Sequence, residues 1–179
     1  PGCARGTFGD IARSMTGFRR MADGGSVEPI AHLGGLLAGA PDALLRIGSD
    51  SQNLGDRTIY TTTVVLRYRG NGAHVIYRRE RATRITDMWT RLWGEVERSL
   101  AVARWLNHEG RLPIHGIDLD LNPDPATGSH RLHSAAVGFV KAHGYEPRTK
   151  PDLLMATWAA NLLCNRAGRT HETPHRAEP

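Results

Sequence analysis

The feature that most constrains this fold is three consecutive strand-like segments with only short turns between them. Leu44 to Asp50 alternates: Leu45 and Ile47 fall on one face, Arg46, Gly48 and Asp50 on the other. Ser51 and Gln52 follow, then a turn at Asn53-Leu54-Gly55-Asp56. Thr58 to Tyr68 is rich in Thr, Val and Tyr. Arg69-Gly70-Asn71-Gly72 is a second turn, and Ala73 to Glu80 a third strand. Connections this short predict an antiparallel meander.

Helices and strands alternate after the meander. Met88, Trp89, Leu92, Val96, Leu100 and Ala103 recur at helical spacing from Asp87 to about His108, where Gly110 stops the pattern. Leu112 to Leu121 reads as a strand and Ser129 to His143 as a helix ended by Gly144. Tyr145 to Lys150 is short and extended. Pro151 suits the first turn of a last helix running to about Asn165. A small helix over Ile30, Leu33, Leu36 and Leu37 precedes the meander. Trp89, Trp93, Trp105 and Trp158 are expected in the core or at its edge.

Three antiparallel strands followed by α-β-α-β-α make an α/β domain, with a mixed five-stranded sheet and helices on both faces. This is the element order of the ribonuclease H fold. Residues 27–167 form the expected domain. Residues 1–26 are expected as a poorly ordered extension, and 168–179 as a polar tail.

Asp50 ends the first strand, Glu95 and Glu97 lie in the long helix, Asp118 and Asp120 close the fourth strand, and Asp152 opens the last helix. In this strand order the first and fourth strands are central neighbours, so their acidic ends can meet. Oxygen-rich clusters suit Mg2+ or Mn2+ rather than softer metals. Two such ions roughly 4 Å apart can hold a scissile phosphate. Any one of these acids alone has a plainer explanation, such as a solvated helix face or a favourable place at a helix dipole.

Several motifs carry a resemblance. Ile47-Gly48-Ser49-Asp50-Ser51-Gln52, Arg91-Leu92-Trp93-Gly94-Glu95 with Ser99, Ile117-Asp118-Leu119-Asp120, and Lys150-Pro151-Asp152 occur in order. Together they resemble the YkuK family of predicted ribonuclease-H-like nucleases, over roughly residues 30 to 165. The resemblance implies that Asp50, Glu95, Asp120 and Asp152 are both catalytic residues and metal ligands. It favours Glu95 over Glu97 and leaves Asp118 as an extra acid. Ser51, Gln52 and Lys150 are expected to contact substrate. Lys150 stands out because Lys141 is the only other lysine among 23 basic residues.

The expected function is metal-dependent hydrolysis of phosphodiester bonds in RNA, DNA or a hybrid. The alternative is a non-catalytic module that binds nucleic acid or protein. A formal charge of +5 is compatible with a nucleic acid partner. Ser51 and Ser99 lack a His partner for nucleophilic catalysis, and Gly24-Gly25-Ser26 does not continue into a phosphate loop. His130 and His133 share a helix face and read as surface residues. Cys3 and Cys164 match no metal or redox spacing and are expected as free thiols. No leader pattern and no membrane-length apolar run is evident, so a cytoplasmic location is expected.

Overall fold

The computed structural model describes residues 15–70 and 72–169. The meander is present, and its first and third strands run further at their C-terminal ends than expected. We number them β2 (Leu44–Leu54), β3 (Arg57–Arg67) and β4 (Ala73–Thr83). β2 runs past Asp50 because it pairs with β3 along its whole length, from Leu44 opposite Arg67 to Leu54 opposite Arg57. Gly55, at φ +55°, takes the first position of the two-residue hairpin loop, where a tight turn needs a left-handed residue. β3 is covered on both faces from Thr58 to Leu66, as befits the middle strand of a meander.

The sheet has six strands rather than five; with β1 (Arg19–Arg20), β5 (Gly116–Asp118) and β6 (Pro147–Arg148) the order is β1-β4-β3-β2-β5-β6. The added strand, β1 (Arg19–Arg20), pairs with Tyr77 and Ile76 of β4. It belongs to the segment expected to be poorly ordered. That expectation fails over residues 15–26, while residues 1–14 lie outside the described residues. The cause is Phe18, 1% exposed, which enters the core and stacks on Trp105 with ring centroids 6.3 Å apart. A single Phe among glycines and arginines leaves no periodicity to read.

Helix α1 (Pro29–Gly39) starts with Pro29 at its first position and the Glu28 carboxylate accepting the N–H of Ile30 and Ala31. Helix α2 (Met88–His108) is capped by Asp87, whose Oδ2 accepts the Thr90 N–H at 2.7 Å. α2 lies on the face of the sheet that carries Leu45, Ile47 and Val64, and adds Val96, Leu100, Ala103 and Leu106 to the main core. Val96, Leu100 and Leu106 each contribute roughly 1.5–3 kcal/mol of burial. Helix α3 (His130–Ala142) leans on α2 through Phe139 and Trp93, with centroids 5.0 Å apart.

The fourth strand of the expected domain is β5 (Gly116–Asp118), much shorter than 112–121. Pro113 has no N–H to offer on one side, and the chain turns at Asp120 on the other, where the Leu121 N–H bonds the Leu119 carbonyl at 2.7 Å. β5 runs parallel to β2, with Gly48 opposite Asp118. β6 (Pro147–Arg148) completes that edge in parallel with β5.

Helix α4 (Met155–Arg169) covers the opposite face of the sheet from α2. Ala156 and Ala159 pack on Val65 there. Close approach also needs Gly48: a Cβ at that position would lie 2.8 Å from the Thr157 nitrogen. α4 starts four residues later than Pro151, so Pro151 and Asp152 sit in the preceding loop. Trp158 is another correction. It is 66% exposed, and alanines occupy the contact with the sheet instead.

Candidate active site

Asp50 leaves β2 on the α4 face, two residues after Gly48. Asp120 follows Asp118 by two, and Asp118 is the register partner of Gly48, so the turn after β5 carries Asp120 to the level of Asp50. Burial pushes the Asp50 carboxyl above its ordinary range, and the nearby Asp120 charge adds to this. The Ser51 backbone N–H and the Asn161 side chain oppose the shift by hydrogen bonding, and Arg91 opposes it by charge. Asn161 Oδ1 accepts from Asn165 Nδ2 at 3.0 Å, which leaves its own amide N–H groups free to donate to Asp50.

Glu95 approaches from α2. It is 7% exposed, whereas Glu97, two residues on, is solvent-exposed and accepts from Trp93 Nε1 at 3.2 Å. Ser51 Oγ donates to Glu95 Oε1 at 2.5 Å, and Arg91 Nη1 lies 3.6 Å from the same oxygen. Arg91 also donates to the Ser51 carbonyl at 3.0 Å and to its hydroxyl at 2.7 Å. Burial pushes the Glu95 carboxyl up to about 8, with Asp50 and Asp120 adding to the rise. Asp50, Glu95 and Asp120 thus form one electrostatically coupled group.

Asp152 does not join it. The residue is 54% exposed at its side chain and pairs with Arg148 at 3.3 Å. Its charge acts on Asp118 and Arg46. Asp118, the extra acid, has a clear structural place. It is buried, and its Oδ2 accepts the Ala156 N–H at 2.9 Å, capping the start of α4 from a neighbouring strand. That cap helps set where the helix begins.

The expected substrate contacts divide. Lys150 Nζ lies 2.7 Å from Asp120 Oδ1, as a half-exposed ion pair at the rim. Gln52 stands two residues beyond Asp50 on the same face, with Oε1 buried and without a hydrogen-bond partner. Ser51 points the other way and serves Glu95. His133 is occupied with Thr149 at 3.1 Å. Cys164 is free and buried against Thr61, while Cys3 lies outside the described residues. Sequence reasoning missed Asn161. The signal was present: Thr157, Asn161 and Cys164 recur at helical spacing as a polar seam through the alanine- and leucine-rich part of the helix.

Among the described residues no group of three or more His, Cys, Asp or Glu is arranged as a ready-made metal site. The donor set nonetheless fits a hard divalent cation. Three coupled carboxylates, two of them pushed toward protonation, are an arrangement that such a charge relieves. The carboxylates turn to internal partners: Lys150 for Asp120, Ser51 for Glu95 and Asn161 for Asp50.

The family described as ribonuclease H-like matches residues 40–164, which span all of these acids. The chain belongs to the ribonuclease H-like family. No curated protein and no solved structure matches it closely enough to count as similar. The ribonuclease H-like domain accounts for β2 through most of α4, and β1 and α1 lie before the matched region. Among the described residues no helix is long and apolar enough to cross a membrane.

Proposed function

We propose that this chain is a metal-dependent phosphodiester hydrolase acting on nucleic acid. The observation that carries the reading is the coupling of Asp50, Glu95 and Asp120, brought from the middle of β2, from α2 and from the turn after β5 of a ribonuclease H-like fold. These three would hold Mg2+ or Mn2+, which supplies charge neutralisation and polarisation of a phosphoryl oxygen. The chain's own residues prepare that role. Asn161 fixes the Asp50 carboxylate, and Ser51 with Arg91 fixes that of Glu95. Lys150, poised at Asp120, supplies a compact cation for a backbone phosphate.

The test is cleavage of single-stranded, duplex, hybrid and junction substrates with and without manganese. Loss of cleavage in Asp120→Asn, with metal dependence in the parent, supports the reading. A second reading, a module that binds nucleic acid without cutting it, draws on one observation: Lys150 already neutralises Asp120 at 2.7 Å. It predicts binding to the same substrates and no metal-dependent product.

A further inference from the structure

From Met155 to Asn165, α4 carries no charged residue, although the chain is rich in arginine elsewhere. Its inner stripe is buried. Its outer stripe is Trp158, Asn161 and Asn165. Trp89, Trp93 and Trp105 all lean on the core, whereas Trp158 packs in neither apolar cluster. Burial therefore gives no reason for an indole at this position.

Trp158 precedes Asn161 by three residues, so the two are surface neighbours, with Cβ atoms about 5–6 Å apart. The same helix lies against Asp50: Cys164, three residues after Asn161, donates from Sγ to the Asp50 carbonyl at 3.6 Å, and the Asn161 amide favours the charged Asp50 carboxylate. The indole thus stands on the stretch of α4 that borders Asp50, one turn from Asn161. An uncharged stripe offers nothing to a phosphate. It offers a π face and carboxamides, which suit the face and edges of an unpaired base. A protein partner fits less well. The large exposed hydrophobics among the described residues are Met88, Leu153 and Trp158, too little for an interface that buries about 1,200–2,000 Å². The positive formal charge favours a polyanion.

We infer that Trp158 is a base-stacking residue for single-stranded nucleic acid, holding the nucleotide beside the phosphate presented to Asp50. This rests on the hydrolase reading for the position of that phosphate. Paired bases in a duplex have both faces covered, so the contact selects against duplex.

Binding of a labelled oligothymidylate and of a hairpin duplex to the full chain, in chelator, separates the possibilities without cleavage. Trp158→Ala is expected to weaken oligothymidylate binding roughly ten- to hundredfold and leave duplex binding unchanged, with Trp158→Phe keeping most of the affinity. The melting temperature should not change, because the side chain is exposed. Unchanged oligothymidylate binding, or an equal loss on both probes, overturns the inference. So does a dimer of this chain that Trp158→Ala dissolves, which would make a second copy the occupant. A parent chain that binds the oligomer through Trp158 but never cleaves it defeats the hydrolase reading alone. Cleavage by the parent with Trp158→Ala binding unchanged defeats the stacking role alone.

Discussion

The Ser51 hydroxyl donates to the Glu95 carboxylate at 2.5 Å, joining the residue after the Asp50 carboxylate to the helix on the opposite face of the sheet. Because β2 alternates, Asp50 faces α4 while Ser51 faces α2. One strand therefore ties both helices to one site.

Glu95 makes stability depend on pH. Its folded-state value, raised to about 8, lies above the ordinary 4.5, so between them the folded chain holds a proton that the unfolded chain has lost. In chelator, this contribution is fully present below about pH 4.5 and is lost as pH rises through about 8. The total is on the order of a few kcal/mol. Glu95→Gln should flatten that slope. Urea unfolding of both proteins from acid to mildly alkaline pH checks it; parallel pH curves contradict it.

Asp118 should matter for stability rather than chemistry. Asp118→Ala removes the cap on the Ala156 N–H and should cost about 0.5–2 kcal/mol, read as a lower melting temperature. The corresponding change at Asp120, whose partner is the half-exposed Lys150, should cost less than that.

Asp152→Asn is expected to keep metal-dependent cleavage, because the carboxylate is half-exposed and paired with Arg148. Its stability effect should fall within about 0–1 kcal/mol, as for other exposed pairs. Abolished cleavage in a folded variant would restore Asp152 to the site.

Gly48→Ala forces a methyl group to within 2.8 Å of the Thr157 backbone nitrogen. The strand or α4 must shift, at a cost of about 1–3 kcal/mol, and Asn161 should lose register with Asp50. Thermal melting gives the first effect and cleavage by the folded fraction the second.

Much of this arrangement was legible in the residues. The alternation at Leu45, Ile47 and Gly48 marks β2, and the spacing of Val96, Leu100 and Ala103 marks the buried face of α2. The resemblance favoured Glu95 over Glu97, and the buried place of Glu95 beside that face agrees with it. The strand ends were less legible because they depend on partners: β2 continues through polar Asn53 since β3 pairs with it. The start of α4 was misplaced because Pro151 carries a local signal, whereas the Asp118 cap comes from a residue distant in sequence. Asp152 moves into the preceding loop with it, paired with Arg148. Asn161 and Trp158 are ordinary helix residues until the sheet fixes which side of α4 faces Asp50.

The central claim is that Asp50 anchors a catalytic carboxylate group. Its most direct test is cleavage of a labelled single strand by the parent and by Asp50→Asn, purified identically, with manganese. The account predicts product from the parent only with the metal, and a loss of at least about 100-fold in the variant at an unchanged melting temperature. Equal cleavage by the two proteins would contradict it.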